Sequence, residues 1–166
     1  MSESFRVRIA KAEHVFSAAH FITIGGQCER LHGHNYHVAA EFAGLLDQNE
    51  LVIDFLLVRA KLREIVTRLD HYVLLPTQST RVAVSEQGDT VHVSVDGAPR
   101  YVFPRKDCAL LPIPNTTVEM LAQMLATRLK KELDAAGARG LTAIEMEVEE
   151  NFGQSAVYRE ALNAPS

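Results

Sequence analysis

Residues 31–42 read Leu-His-Gly-His-Asn-Tyr-His-Val-Ala-Ala-Glu-Phe, and residues 5–20 read Phe-Arg-Val-Arg-Ile-Ala-Lys-Ala-Glu-His-Val-Phe-Ser-Ala-Ala-His. In the earlier run, Val7, Ile9, Phe16 and Ala18 recur with the two-residue period of one long strand or two short ones. Gly25-Gly26 breaks that pattern and marks a loop. The later run reads as a strand from Leu31 to Phe42 ending near Gly44, and so short a connection implies an antiparallel pair.

Outward from this pair, Leu51 to Phe55 reads as a short extended piece. Val58, Leu62, Ile65, Val66 and Leu69 then recur at helical spacing, predicting a helix of about four turns that ends near Asp70-His71. Between Arg81 and Phe103 the pairs and triplets Val82/Val84, Val91/Val93/Val95 and Tyr101/Phe103 are broken at Gly88-Asp89 and Asp96-Gly97. Asp-Gly between alternating runs signals a hairpin, so two or three short strands are expected there. Thr116-Thr117-Val118-Glu119 fits a capping box that opens a second helix. Val118, Leu121, Leu125, Leu129 and Leu133 line its buried face, and Gly137 closes it. A last strand is expected from Leu141 to Glu150, then a loop at Asn151-Phe152-Gly153 and a short tail. The order predicts an α+β fold with the helices against one face of a largely antiparallel sheet.

The chain has 166 residues, 47% hydrophobic and 23% charged. That suffices for one domain, 1–166, with a self-sufficient core. A formal net charge of -4 lacks the basic footprint that nucleic acid requires. Arg6, Arg8 and Lys11 interrupt any N-terminal apolar run, and nothing approaches a membrane span, so neither a signal peptide nor a membrane partner is expected. Cys28 and Cys108 read as free thiols of a reducing compartment, which places the protein in the cytoplasm.

The chemistry concentrates around His32-Gly33-His34. On a strand, residues i and i+2 project from the same face, so the two imidazoles can share one ion. The glycine removes bulk behind them, and His20, ending the preceding strand, can be brought opposite. Three neutral imidazoles leave one tetrahedral position open, the arrangement of a catalytic zinc, although other divalent ions fit the same donors. Such pairs also occur on exposed strands without metal; His14 and His37 are decoys of that sort. Cys28 lies in the loop leading into the metal-bearing strand. It reads as a thiolate nucleophile or base, as a small buried hydrophobe, or as a fourth zinc ligand; Cys108 has only the buried reading. Asp70 either orients His71 for proton transfer or is solvated while His71 complements the helix end. In the last strand Ile144, Met146 and Val148 face one way and Glu145, Glu147 and Glu149 the other. Glu150 then falls on the apolar side, where a carboxylate needs a partner such as a ligand's N–H groups.

Phe16-Ser-Ala-Ala-His20, Cys28-Glu-Arg-Leu-His32-Gly-His34-Asn-Tyr, Asp54-Phe55, Leu69-Asp70-His71, Thr116-Thr-Val-Glu119 and Glu150 to Tyr158 follow one another in this order. The combination resembles the 6-pyruvoyl-tetrahydropterin synthase and 6-carboxytetrahydropterin synthase family over about residues 5–160, apart from an insertion near 80–105. The resemblance implies a tunnelling fold: a four-stranded antiparallel sheet with two helices on one face, assembled as a homo-oligomer, a tetramer or hexamer. It implies zinc on His20, His32 and His34, with 7,8-dihydroneopterin triphosphate as substrate. It further implies Cys28 as catalytic base, Asp70 and His71 as proton-relay partners, and Glu150, Thr116, Thr117 and Glu119 as pterin-binding residues. Three residues between Cys28 and His32 resemble the 6-carboxy enzymes of queuosine synthesis, while Asn-Thr-Thr at 115–117 leans toward the 6-pyruvoyl enzymes of biopterin synthesis. Rival readings on the same residues are a zinc hydrolase and a non-catalytic oligomeric protein with a structural zinc.

Overall fold

Alternating apolar residues at one end of the chain and two amphipathic helices further on leave one economical arrangement, a sheet with its apolar face under the helices. The computed structural model shows this arrangement; it describes residues 5–162, apart from the side chains of 11–13, and the two ends of the expected 1–166 domain lie outside it. The first strand, β1 (Phe5–His20), is followed by a small hairpin of β2 (Thr23–Ile24) and β3 (Gln27–Cys28) around Gly25-Gly26. Strand β4 (His32–Gly44) then runs antiparallel to β1, from Phe5 opposite Gly44 to His20 opposite His32, with one register shift between Ala10 and Val15.

Helix α1 (Phe55–Thr67) is capped by Asp54, whose carboxylate accepts from the Leu56 N–H at 2.7 Å. It buries Val58, Leu62, Ile65 and Val66. The expected extended piece at 51–55 is therefore irregular, because Asp54 caps and Phe55 already belongs to the helix. The helix also ends before Asp70-His71: the Arg68 N–H turns back to the Ile65 carbonyl, closing it at Thr67.

Strand β5 (Tyr72–Pro76) lies parallel to β1. Three short antiparallel strands follow, β6 (Val82–Gln87), β7 (Thr90–Val95) and β8 (Ala98–Pro104), forming a separate sheet. Their second turn has Asp96 and Gly97 both at positive φ, 51° and 82°, as a tight hairpin with right-handed strand twist demands. Strand β9 (Cys108–Leu111) pairs parallel with β5. Helix α2 (Val118–Ala135) ends in a Schellman arrangement, with Ala138 N–H bonded to the Leu133 carbonyl across Gly137. Strands β10 (Leu141–Asn151) and β11 (Gln154–Ala161) complete the chain as an antiparallel hairpin.

The main sheet has the order β11-β10-β4-β1-β5-β9. Its first four strands are the expected antiparallel set; β5 and β9 extend it in parallel. The expected tail is instead the edge strand β11, and the turn before it is Phe152-Gly153. Both helices pack on one face, α1 over β1 and α2 over β10 and β11. Phe16, Tyr36, Phe42, Leu62, Leu125 and Leu129 are fully enclosed between the layers. A second apolar cluster, built from Phe21, Leu75, Val82, Val91, Val93, Val95 and Cys108, joins the small sheet to the β5–β9 margin. Among the described residues, no helix is long and apolar enough to cross a membrane.

Candidate metal centre and the loop beside it

The β1–β4 ladder puts His20 directly opposite His32 and Ala18 opposite His34, so three imidazoles share one patch of the sheet. Their ring centroids lie 4.6 Å (His20–His32), 5.3 Å (His20–His34) and 5.0 Å (His32–His34) apart. Gly33 makes this close pairing possible: a Cβ there would sit 3.0 Å from the Ala18 carbonyl oxygen.

Backbone carbonyls set two of the tautomers. His20 Nδ1 lies 2.9 Å from the Thr116 carbonyl and His32 Nδ1 lies 2.8 Å from the Arg30 carbonyl. A carbonyl can only accept, so each Nδ1 carries the proton and each Nε2 presents its lone pair. Burial pushes His20 below the usual imidazole range, opposed by the Thr116 carbonyl, which favours the neutral, ligating form.

Glu150 completes the group. Strand β10 bulges between Glu149 and Asn151, and Glu150 turns inward there, as bulges re-aim side chains. Its Oε1 lies 3.2 Å from His20 Nε2 and 3.3 Å from His34 Nε2. The donor atoms of His20, His32, His34 and Glu150 all lie within 4.8 Å of one another. The Nε2 atoms of His20 and His34 are buried without a hydrogen-bond partner, which is costly unless something else uses the lone pairs. A divalent cation fits that donor set. Cys28 stands outside the group; its thiol donates to the Glu29 carbonyl at 3.5 Å.

The loop carrying Cys28 is held by the small sheet. Arg81 Nη2 donates to the Gly26 carbonyl at 2.8 Å, and Arg100 Nη2 donates to the carbonyls of Glu29 (3.0 Å) and Cys28 (3.3 Å). The Tyr101 hydroxyl accepts from the Leu31 N–H at 3.2 Å. Glu29, beside the thiol, brings its carboxylate to 4.0 Å from His32 Nε2.

A cleft of about 510 Å³ opens next to His34, with Ser17, Gly33, Asn35 and His71 among its walls. Asp70 accepts from the Ser17 N–H at 2.8 Å and from His71 Nδ1 at 2.9 Å. The Ser17 N–H is the main cause that holds the Asp70 carboxyl below its usual range. With Nδ1 committed to Asp70, His71 Nε2 is free for proton exchange. His71 adopts φ 64°, a backbone state rare outside glycine, and its N–H bonds the Ser17 carbonyl at 2.6 Å.

The remaining sequence candidates sit at the start of α2. Thr116 is fully buried, and its hydroxyl donates to the Phe21 carbonyl at 2.8 Å. Thr117, not Thr116, is the N-cap, accepting from the Met120 N–H. The capping box is thus displaced by one residue, because the Thr116 hydroxyl is already engaged, and Glu119 stands exposed in the first turn. His14 is buried and His37 exposed. Sequence reasoning missed Glu29, Arg81, Arg100 and Asn115, whose side-chain amide ties the Thr23 backbone to the head of α2. Only the adjacency of Glu29 to Cys28 could have signalled any of them.

The family model described as 6-pyruvoyl tetrahydropterin synthase matches residues 8–161. The chain belongs to the 6-pyruvoyl tetrahydropterin synthase family. A Methanocaldococcus jannaschii relative with the provisional name 6-carboxy-5,6,7,8-tetrahydropterin synthase is 32% identical over 148 residues, 89% of this chain and 90% of the relative. A Pyrococcus horikoshii relative with the same provisional name is 32% identical over 116 residues, 69% of this chain and 68% of the relative. The solved 6-pyruvoyl tetrahydropterin synthase of Plasmodium vivax superposes with a TM-score of 0.90 at 28% identity, covering 97% of this chain and all of that one. In that protein a glutamate is described as a catalytic residue.

Proposed function

We propose that this family member is a zinc-dependent carbon–oxygen lyase. Its reaction converts 7,8-dihydroneopterin triphosphate and water to 6-carboxy-5,6,7,8-tetrahydropterin, acetaldehyde and triphosphate, a step of queuosine synthesis. The observation that carries this reading is the convergence of three oriented imidazoles next to a thiol-bearing loop and a cleft. His20, His32 and His34 hold the zinc. When bound, zinc supplies Lewis acidity that loosens C–H bonds next to the substrate's side-chain hydroxyls.

The chain's own residues then divide the proton work. The Cys28 thiolate removes a proton from the side chain, and His71, oriented by Asp70 through Nδ1, exchanges a second at Nε2. Glu150 receives the N–H edge of the pterin, a charge-assisted bidentate pairing. Thr117 and Glu119 border the pterin pocket, and Thr116 serves it through His20. Cys28 packs with the Phe21–Leu75 cluster while His71 lines the open cleft. We therefore take the working unit as a cytoplasmic homo-oligomer, tetramer or hexamer, in which copies bring these groups together. Glu29 is a second candidate base, supported by its 4.0 Å approach to His32 and by the catalytic glutamate of the Plasmodium vivax protein.

The provisional names of the archaeal relatives support the 6-carboxy product. Asn115-Thr116-Thr117 and the names of the solved structures support the runner-up, 6-pyruvoyl tetrahydropterin. Anaerobic incubation with 7,8-dihydroneopterin triphosphate followed by mass spectrometry separates them. Acetaldehyde with 6-carboxytetrahydropterin is expected; a 6-pyruvoyl product moves the assignment to the runner-up, and untouched substrate sinks both. Cys28→Ala is expected to lower turnover about 10²–10⁴-fold with zinc retained, the range for a general base. Glu29→Gln made alongside it shows which group is the base, and zinc lost from Cys28→Ala would instead make the thiol a structural ligand.

A further inference from the structure

The contact between Glu150 and the histidines is not that of a hydrogen-bonded pair. His20 Nε2 must present a lone pair, since its Nδ1–H faces the Thr116 carbonyl at 2.9 Å. Glu150 Oε1, also an acceptor, faces that lone pair at 3.2 Å and His34 Nε2 at 3.3 Å, yet neither nitrogen has a hydrogen-bond partner. Acceptors facing each other at such distances repel unless a cation lies between them. A tetrahedral zinc with bonds of about 2.0–2.1 Å sets neighbouring ligand atoms about 3.3 Å apart, and both observed separations match that edge.

Tyr36 supports the same carboxylate. Its ring is fully buried, stacked on Phe16 at 4.8 Å and edge-on to His20 at 5.8 Å and His34 at 5.7 Å. The enclosed hydroxyl makes no fully formed hydrogen bond, and Glu150 is the carboxylate it interacts with. A buried hydroxyl without a complete partner is costly, and a small adjustment of Glu150 would satisfy it.

We propose that Glu150 is the fourth metal ligand of the ligand-free protein and that Tyr36 is its positioning residue, so the site is closed until the carboxylate departs. On the pterin reading above, the same side chain then serves the substrate, and opening of the metal site is coupled to substrate recognition. The ligation itself stands independently of that reading.

Cobalt(II) reports on both points without catalysis. Wild type, Glu150→Gln, Glu150→Ala and Tyr36→Phe are titrated with cobalt(II) against a competing chelator. Each loaded protein is then exposed to azide while its visible absorption is followed. Loss of affinity by about 100-fold in both Glu150 variants and about 10-fold in Tyr36→Phe is expected, the range for ligand-supporting groups. Azide should change the spectrum of the Glu150 variants and leave wild type unchanged. Equal affinities, or an equal azide response in wild type and Glu150→Gln, would overturn the proposal. Thermal unfolding of the metal-free variants identifies any misfolded one, and the near-isosteric Glu150→Gln then carries the comparison. A protein that passes these tests but leaves 7,8-dihydroneopterin triphosphate untouched would refute the pterin reading alone.

Discussion

The histidine cluster and the Cys28 loop lie a few residues apart in the chain but are held by opposite means. The histidines stand on two long strands locked in one register, and backbone carbonyls of Thr116 and Arg30 orient His20 and His32. Cys28 ends a two-residue strand whose carbonyls hang from Arg81 and Arg100 of the small sheet. Metal ligation tolerates little positional error, and a hydrogen-bonded ladder holds its spacing closely. A proton-transfer group needs approach and withdrawal, which a loop on exposed guanidinium tethers permits. The difference suggests that the small sheet is the adjustable half of the site.

The contrast can be broken from the ladder side first. His34→Ala removes a ligand outright and is expected to abolish stoichiometric zinc after dialysis, a loss beyond the roughly 10–100-fold that outer hydrogen-bond partners cost; metal analysis that finds zinc retained would remove His34 from the site. From the loop side, Arg100→Ala is expected to cut turnover about 10- to 100-fold, as misplacement of a reacting group does, with cobalt(II) affinity unchanged. A matching fall in metal affinity would erase the distinction between the two halves. Thr116→Val leaves the Phe21 carbonyl without its donor, costing about 1–3 kcal/mol in a urea unfolding series. Metal affinity should weaken about 10-fold as His20 loosens.

The smallest effect concerns Asp70. The Ser17 N–H holds this carboxyl below its usual range, so its contribution to stability is present above the unfolded-state pKa and is lost as pH falls through the folded value. The urea midpoint of wild type should exceed that of Asp70→Asn at neutral pH, and the two should merge below about pH 3. With 38% of the side chain exposed, solvent screening keeps the difference modest. A gap that persists in acid would contradict this account.

The two halves also differed in legibility. Period and parity foretold the β1–β4 pair, both helices, the three strands of the small sheet, and the inward turn of Glu150, because each leaves a mark on its own neighbours in sequence. Strand β5 hid in Tyr72–Pro76, a short apolar run ending in proline, and β9 in four residues after a turn. Their pairing is parallel and its partners are distant, so nothing local announces them. In β11 the alternation is present but weak, since its residues are only half-buried or exposed. Arg81 and Arg100 act on backbone carbonyls some 50 to 70 positions away, and a carbonyl has no letter in the sequence. The one-residue error at the head of α2 arose because either of two consecutive threonines could cap, and only the fold showed that Thr116 was already committed to Phe21.

Gly33 shows how portable this site is. An added methyl there would meet the Ala18 carbonyl at 3.0 Å, so the spacing of the imidazoles belongs to a crossing of two strands rather than to His-Gly-His alone. A designer who grafts the three letters onto another sheet would copy the ligands without the gap between them. The transferable unit is larger: both strands from Phe16 to His20 and from His32 to Tyr36, with the Thr116 carbonyl behind them. A library that randomises residue 33 should return glycine.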